Sequence, residues 1–134
     1  MKYNVEELQM QESLETILEP VTRMDLIKYS GASGDFNPIH TIDEEAEKAG
    51  LPGIIAHGMW TMGNLSKLFT PYYDQGFIQG FQIRFSGMVF LQDVITLKAE
   101  LNEAKVDYLD FNVKALNQNE KVVLKGKVRF AKYR

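Results

Sequence analysis

Apolar and polar positions follow different periods in successive parts of the chain. Residues 13 to 22, SLETILEPVT, alternate, which predicts a strand ended by Pro20, because proline cannot donate to a sheet ladder. Thr22 with Asp25 three residues later has the form of a capping box, and predicts a short helix over RMDLIKYSGAS that Gly34 can close in a left-handed conformation. Thr41 with Glu44 predicts the same device for a second helix, IDEEAEKA, closed by Gly50. Between them lies DFNPIH, residues 35 to 40, where Pro38 pushes Asn37 toward extended geometry and so predicts a structured loop.

The stretch IIAHGMWTMGNLSKLFT, from residue 54, is apolar on nearly every side, the pattern of a long helix buried all round. Residues 77 to 131 then supply FIQGFQIRFSG, VITLKAEL, LDFNVKAL and VVLKGKVRF, several of them apolar at every second position. Gly87, Asp107 and the NQNE turn at 117 to 120 separate them. Strands joined by such turns imply an antiparallel sheet, and the whole an α+β domain whose sheet wraps around the long buried helix.

Composition narrows the class without changing that picture. With 134 residues the chain fits one domain, residues 1–134, and needs no staples to bury a core. No apolar run approaches a membrane span, so no membrane partner is expected. The first residues, MKYNVEELQMQESLE, lack an apolar signal core, which makes a cytoplasmic location the expectation. The absence of cysteine excludes disulfides, thiolate nucleophiles and cysteine zinc sites. A net charge of −3 argues against bulk nucleic-acid binding. The charge is nevertheless uneven: no acid follows Glu120, while Lys121, Lys125, Lys127, Arg129, Lys132 and Arg134 do. Lys125, Lys127 and Arg129 alternate with Leu124, Val128 and Phe130, which predicts an outward basic face, either merely solvated or used by an anionic partner.

The candidate chemistry is confined to one region. The chain has two histidines, His40 and His57, and the first shares the structured loop with Asp35. A carboxylate and an imidazole aimed at one water can divide proton removal and proton delivery, which is general acid–base chemistry. The same residues also suit a plain turn and a satisfied polar group. Gly58 falls near the expected first turn of the buried helix, where backbone N–H groups lack helical partners and can hold a developing oxyanion.

Taken in order, YSGASGDFNPIH, a short acidic helix and GIIAHGMWTMG resemble the MaoC-like dehydratases, which include the (R)-specific enoyl-CoA hydratases and the (3R)-hydroxyacyl-ACP dehydratase subunits. The resemblance runs from about residue 14 to the C-terminus and is concentrated in 29 to 63. It implies a hot-dog fold, and usually a dimer. It implies that Asp35 and His40 are the catalytic pair and that the Gly58 amide binds the oxyanion. Asn37 would then shape the loop, and His57 would have a supporting, mainly structural part. Gly63 stands where some hydratases carry a serine, so a hydrogen bond to the pair would be missing or replaced.

The reaction so implied is reversible hydration of a trans-2-enoyl thioester to a (3R)-3-hydroxyacyl thioester, with no metal and no redox cofactor. The partners implied are an acyl thioester of CoA or of acyl carrier protein, and a second copy of the chain or another hot-dog subunit without which it is inactive. Hot-dog folds also include thioesterases and acyl-thioester-binding proteins. The thioesterases commonly carry a carboxylate on the central helix, and AHGMWTMGNLSKLF has none. Met59, Trp60, Met62, Leu65, Leu68 and Phe69 can line an acyl tunnel, although such a cluster is more often plain core.

Overall fold

In the computed structural model, which describes residues 4–10 and 12–134, the alternating segments pair into one five-stranded sheet. Residues 1–3 and 11, on which part of the amino-terminal reading rests, lie outside the described residues. The strands are β1 (Ser13–Ile17), β2 (Gly76–Phe85), β3 (Thr96–Ala104), β4 (Tyr108–Leu116) and β5 (Val122–Lys132). Their spatial order is β1-β3-β4-β5-β2, every neighbouring pair antiparallel. Among the described residues the α-helices, α1 (Arg23–Ser33), α2 (Asp43–Lys48) and α3 (Gly58–Leu65), fall between β1 and β2, the two edge strands.

Alternation decides which face is buried. Leu97, Ala99 and Leu101 of β3, Phe111, Val113 and Ala115 of β4, and Val128 and Phe130 of β5 point inward onto α3 and the turns after it. The Phe69 ring meets Phe111 edge-on, with centroids 5.0 Å apart, at the centre of this core. Lys125, Lys127 and Arg129 point outward as expected. Gly126 lies between the two lysines, where an added Cβ would run into the Gln82 carbonyl oxygen, so only glycine permits the close approach of β5 to β2.

The α1 boundaries follow the sequence pattern. The Thr22 side chain accepts from Asp25 N at 3.1 Å while the Asp25 carboxylate accepts from Thr22 N at 2.9 Å, and Gly34 ends the helix at φ +79°. The expected capping box at Thr41 and Glu44 does not form. Pro38–His40 make a 3-10 turn whose first carbonyl accepts from both Thr41 N and Ile42 N, so the chain passes straight into α2 with Ile42 at the cap position and no side-chain cap. Asp43, Glu44 and Glu45 in its first turn suit the positive end of the dipole instead.

The apolar stretch from residue 54 is only partly helical. Residues 54 to 57 are extended, with Ile55 bridging Phe90 and Ala56 N donating to Val89 O at 2.8 Å, and α3 starts at Gly58. Two 3-10 turns, Ser66–Leu68 and Thr70–Tyr72, carry it on toward β2. Nor is it buried all round: Thr61, Leu65, Leu68 and Phe69 enter the core, but Met59 and Gly63 are exposed and Trp60 and Met62 half-buried. Leu65, Leu68 and Phe69 are therefore core packing, not tunnel lining. Among the described residues no helix is long and apolar enough to cross a membrane.

Candidate active site

Local turn chemistry shapes the Asp35–His40 loop. Asp35 N donates to Ser33 Oγ at 3.1 Å, Asp35 Oδ1 accepts from Asn37 N at 3.2 Å, and Asn37 Oδ1 accepts from Ile39 N at 3.2 Å. These are successive short side-chain turns, which Ser, Asp and Asn form readily. Asn37 is thus the cap of the 3-10 turn that delivers His40. The turn buries His40, 7% exposed, and leaves the Asp35 side chain about half exposed, at 53%.

The imidazole of His40 is held in one tautomer. Nδ1 lies 2.7 Å from Ile55 O, a carbonyl that can only accept, so Nδ1 carries the proton. Nε2 then presents its lone pair, 4.0 Å from Asp35 Oδ2. A single oxygen can lie within hydrogen-bond reach of both atoms, the geometry in which one water is oriented and deprotonated.

His57 lies beneath this pair, 2% exposed. Its ring stacks on His40 with centroids 3.8 Å apart and 23° between planes, and meets Tyr29 edge-on at 4.8 Å. Nε2 is 3.2 Å from the Asp35 carbonyl and 3.1 Å from Ser30 Oγ, so the proton sits on Nε2 and is donated to that carbonyl. Burial, above all, holds the His57 pKa below the ordinary 6.5, His40 pushing the same way, while the bond to the Asp35 carbonyl and the Asp35 charge oppose the fall. A neutral His57 therefore anchors the backbone, and not the carboxylate, of Asp35.

Gly58 follows His57 as the first residue of α3, where a backbone N–H has no intrahelical partner and the dipole is positive. A Cβ at this position would stand 3.0 Å from the Phe85 ring, so glycine lets Phe85 close over the helix start. Beside it an apolar cavity of about 160 Å³ is lined by residues that include Ile55, Gly58, Thr61, Phe85 and Met88. Gly63 faces open space. Two serine hydroxyls lie nearby instead, Ser30 Oγ against His57 Nε2 and Ser33 Oγ accepting from Asp35 N.

Asp35, His40 and His57 offer ligand atoms that all lie within 4.8 Å of one another. Nε2 of His57 is committed to the Asp35 carbonyl and its ring lies parallel to His40, so the lone pairs do not converge on a cation. Sequence reasoning brought Asp35, His40, Asn37, His57 and Gly58 into view. It missed Ser30 and Tyr29, whose contacts with His57 span 27 and 28 positions. Ser30 carried no distinguishing signal, a polar residue one turn before the end of α1 whose partner is a matter of tertiary approach.

Residues 6–124 match the family model of the MaoC like domain. The chain is 39% identical over 75 residues to the fatty acid synthase beta subunit TOXC of Cochliobolus carbonum, 54% of this chain but 4% of that protein. It is 29% identical over 107 residues to the mitochondrial 3-hydroxyacyl-[acyl-carrier-protein] dehydratase of Arabidopsis thaliana, 76% of this chain and 64% of that one. It thus spans less than two thirds of these relatives. Among solved structures, the R-hydratase PhaJ1 from Pseudomonas aeruginosa superposes with a TM-score of 0.87 at 24% identity, covering 95% of this chain and 83% of that one. The (R)-hydratase from A. caviae superposes with a TM-score of 0.84 at 18% identity, covering 94% and 98%. The sheet order and helix placement are those of the hot-dog fold, and the chain belongs to the MaoC-like domain family of hydratases and dehydratases.

Proposed function

We propose that the protein catalyses reversible addition of water to a trans-2-enoyl thioester, giving a (3R)-3-hydroxyacyl thioester. The observation that carries this reading is the Asp35 carboxylate 4.0 Å from His40 Nε2, with the opposite ring nitrogen fixed by Ile55 O. Because Nδ1–H is committed to that carbonyl, Nε2 is where His40 exchanges protons. As the water oxygen bonds to C3, its proton passes to Nε2, and the imidazolium forms beside the Asp35 carboxylate. The electron pair displaced from the C2–C3 double bond moves onto the thioester oxygen, where the Gly58 N–H stabilises the developing charge. The same proton then passes to C2, and the pair returns to its starting state.

Support also comes from the absence of any Asp or Glu in α3, which disfavours a thioesterase built on a central-helix carboxylate. The test is loss of the conjugated thioester absorbance when the purified protein meets crotonyl-CoA, with chiral analysis of the product. Asp35→Asn and His40→Gln are each expected to lower kcat/KM by about 10²-fold or more. A fall of less than about tenfold in both variants would sink the assignment.

The working unit is a dimer. Phe36, Met59, Phe85 and Met88 are exposed apolar side chains at or next to the Asp35 loop and the start of α3, an unusual concentration for an uncovered surface. A second copy covers them most economically, and a different hot-dog subunit is the alternative, since a structural neighbour is the ChsH1-ChsH2 complex from Mycobacterium tuberculosis.

A further inference from the structure

The outer face of the sheet, turned away from α3, holds a concavity of about 760 Å³, and strand register fills it with charge. Arg84 on β2 stands directly opposite Lys125 on β5, Lys125 opposite Lys114 on β4, and Lys114 opposite Lys98 on β3. Four cations therefore form one row across four strands, spaced by the strand separation of about 4.8 Å. Lys127 adds a fifth in the next row, where Glu100 is the carboxylate. Lys98 has Glu15 at 3.9 Å, whereas Arg84, Lys114, Lys125 and Lys127 form no ion pair among the described residues.

Like charges directly opposite one another in a sheet are destabilising. This row is built in a protein of net charge −3, with eighteen acidic residues available to interleave. Folding gains nothing from it, and an anion lying across the strands would recover the cost.

The spacing selects the shape of that anion. Three strand gaps span about 14 Å. On an α-helix, side chains three or four positions apart are about 5–6 Å from one another, and ten positions rise about 15 Å, so acidic residues at i, i+3, i+7 and i+10 match the row cation for anion. An extended acidic segment repeats on one side only every 6.8 Å or so and would run off the row. The row also ends beside the candidate site: Arg84 precedes Phe85, whose ring lies over Gly58.

From this register we infer that the outer sheet face docks an acidic helix of a protein that carries the acyl thioester, a substrate class that rests on the hydratase reading above. The test uses a purified bacterial acyl carrier protein, fluorescently labelled in its apo form, and the double variant Lys114→Gln/Lys125→Gln. Anisotropy is expected to show binding that weakens with salt and falls at least about tenfold in the double variant. With crotonyl-loaded carrier, the double variant is expected to raise KM by a similar factor and leave kcat unchanged, while crotonyl-CoA turnover stays as in wild type. The variant is also expected to unfold at a higher temperature, because the facing charges are gone.

Carrier binding that is absent in wild type, or unchanged in the variant, would overturn the inference. So would an equal loss with crotonyl-CoA, which would assign the row to nucleotide phosphates, or equal displacement of the carrier by a short single-stranded RNA. Apo-carrier binding needs no turnover, so the two readings separate. Turnover of crotonyl-CoA without carrier binding refutes docking alone, and carrier binding through the row without any turnover refutes the hydratase alone.

Discussion

His57 makes the acid side of the stability profile informative. In the folded protein burial keeps its pKa below 6.5, whereas in the unfolded chain it titrates near that value. Between the two the unfolded chain binds more protons, so stability is full above about pH 6.5 and falls as pH drops through the window below it. The urea midpoint is expected to follow that course, and His57→Gln, which can still donate to the Asp35 carbonyl, to flatten the part of the slope nearest neutrality. In the role proposed for Gly58 the atom that matters is the amide hydrogen. His57 has ψ 135°, compatible with a following proline, and proline is tolerated at the first helical position. Gly58→Pro is therefore expected to lower kcat by about 10²-fold while unfolding close to Gly58→Ala, which meets the same Phe85 ring. The placement of Asp35, His40 and Gly58 was legible because it depends on a local loop and a helix start. Ser30 was not, since a serine four residues before Gly34 looks like any helix-surface residue until His57 packs on it.

Among the elements, α1 and the 3-10 turn at Pro38–His40 aim the loop. Gly34 adopts φ +79°, and no side chain or backbone lies within 4 Å of an added Cβ, so Gly34→Ala isolates the cost of the left-handed backbone. A loss of about 1 kcal/mol in urea unfolding is expected, with the catalytic consequence confined to loop position. The capping box at Thr22 was readable because both partners and both backbone groups lie within four residues. The one at Thr41 did not form because Pro38 O, three residues upstream, already accepts from Thr41 N, one of the two donors the box needs, and the cap position falls on Ile42, a competition that spacing alone does not reveal. The helix that reads as long is short for a similar reason. Ile55 and Ala56 pair with Phe90 and Val89, and a tertiary strand contact overrode the apolar helical pattern.

At the scale of the whole molecule, exposed Phe36, Met59, Phe85 and Met88 predict association. Sedimentation is expected to give twice the 15.3 kDa chain mass, and Met59→Lys to shift it toward the single-chain value. The sheet's antiparallel character and its outward basic strand were legible from alternation. The cation row was not, because register depends on irregularities between Ile78 and Gly80 and between Ala115 and Leu116 that no period announces.

Strand order carries a last consequence, for the sequence of events in folding. Among the described residues strand β1 pairs only with β3, and β2 only with β5, so each edge waits for a strand made later. Asp35, His40, His57 and Gly58 all lie between those edges and leave the ribosome before any central strand. Such non-local pairing places folding among the slower, millisecond-to-second class. A nascent chain halted before Val122 would hold every residue proposed for the chemistry while β2 still lacked β5, the strand it pairs with.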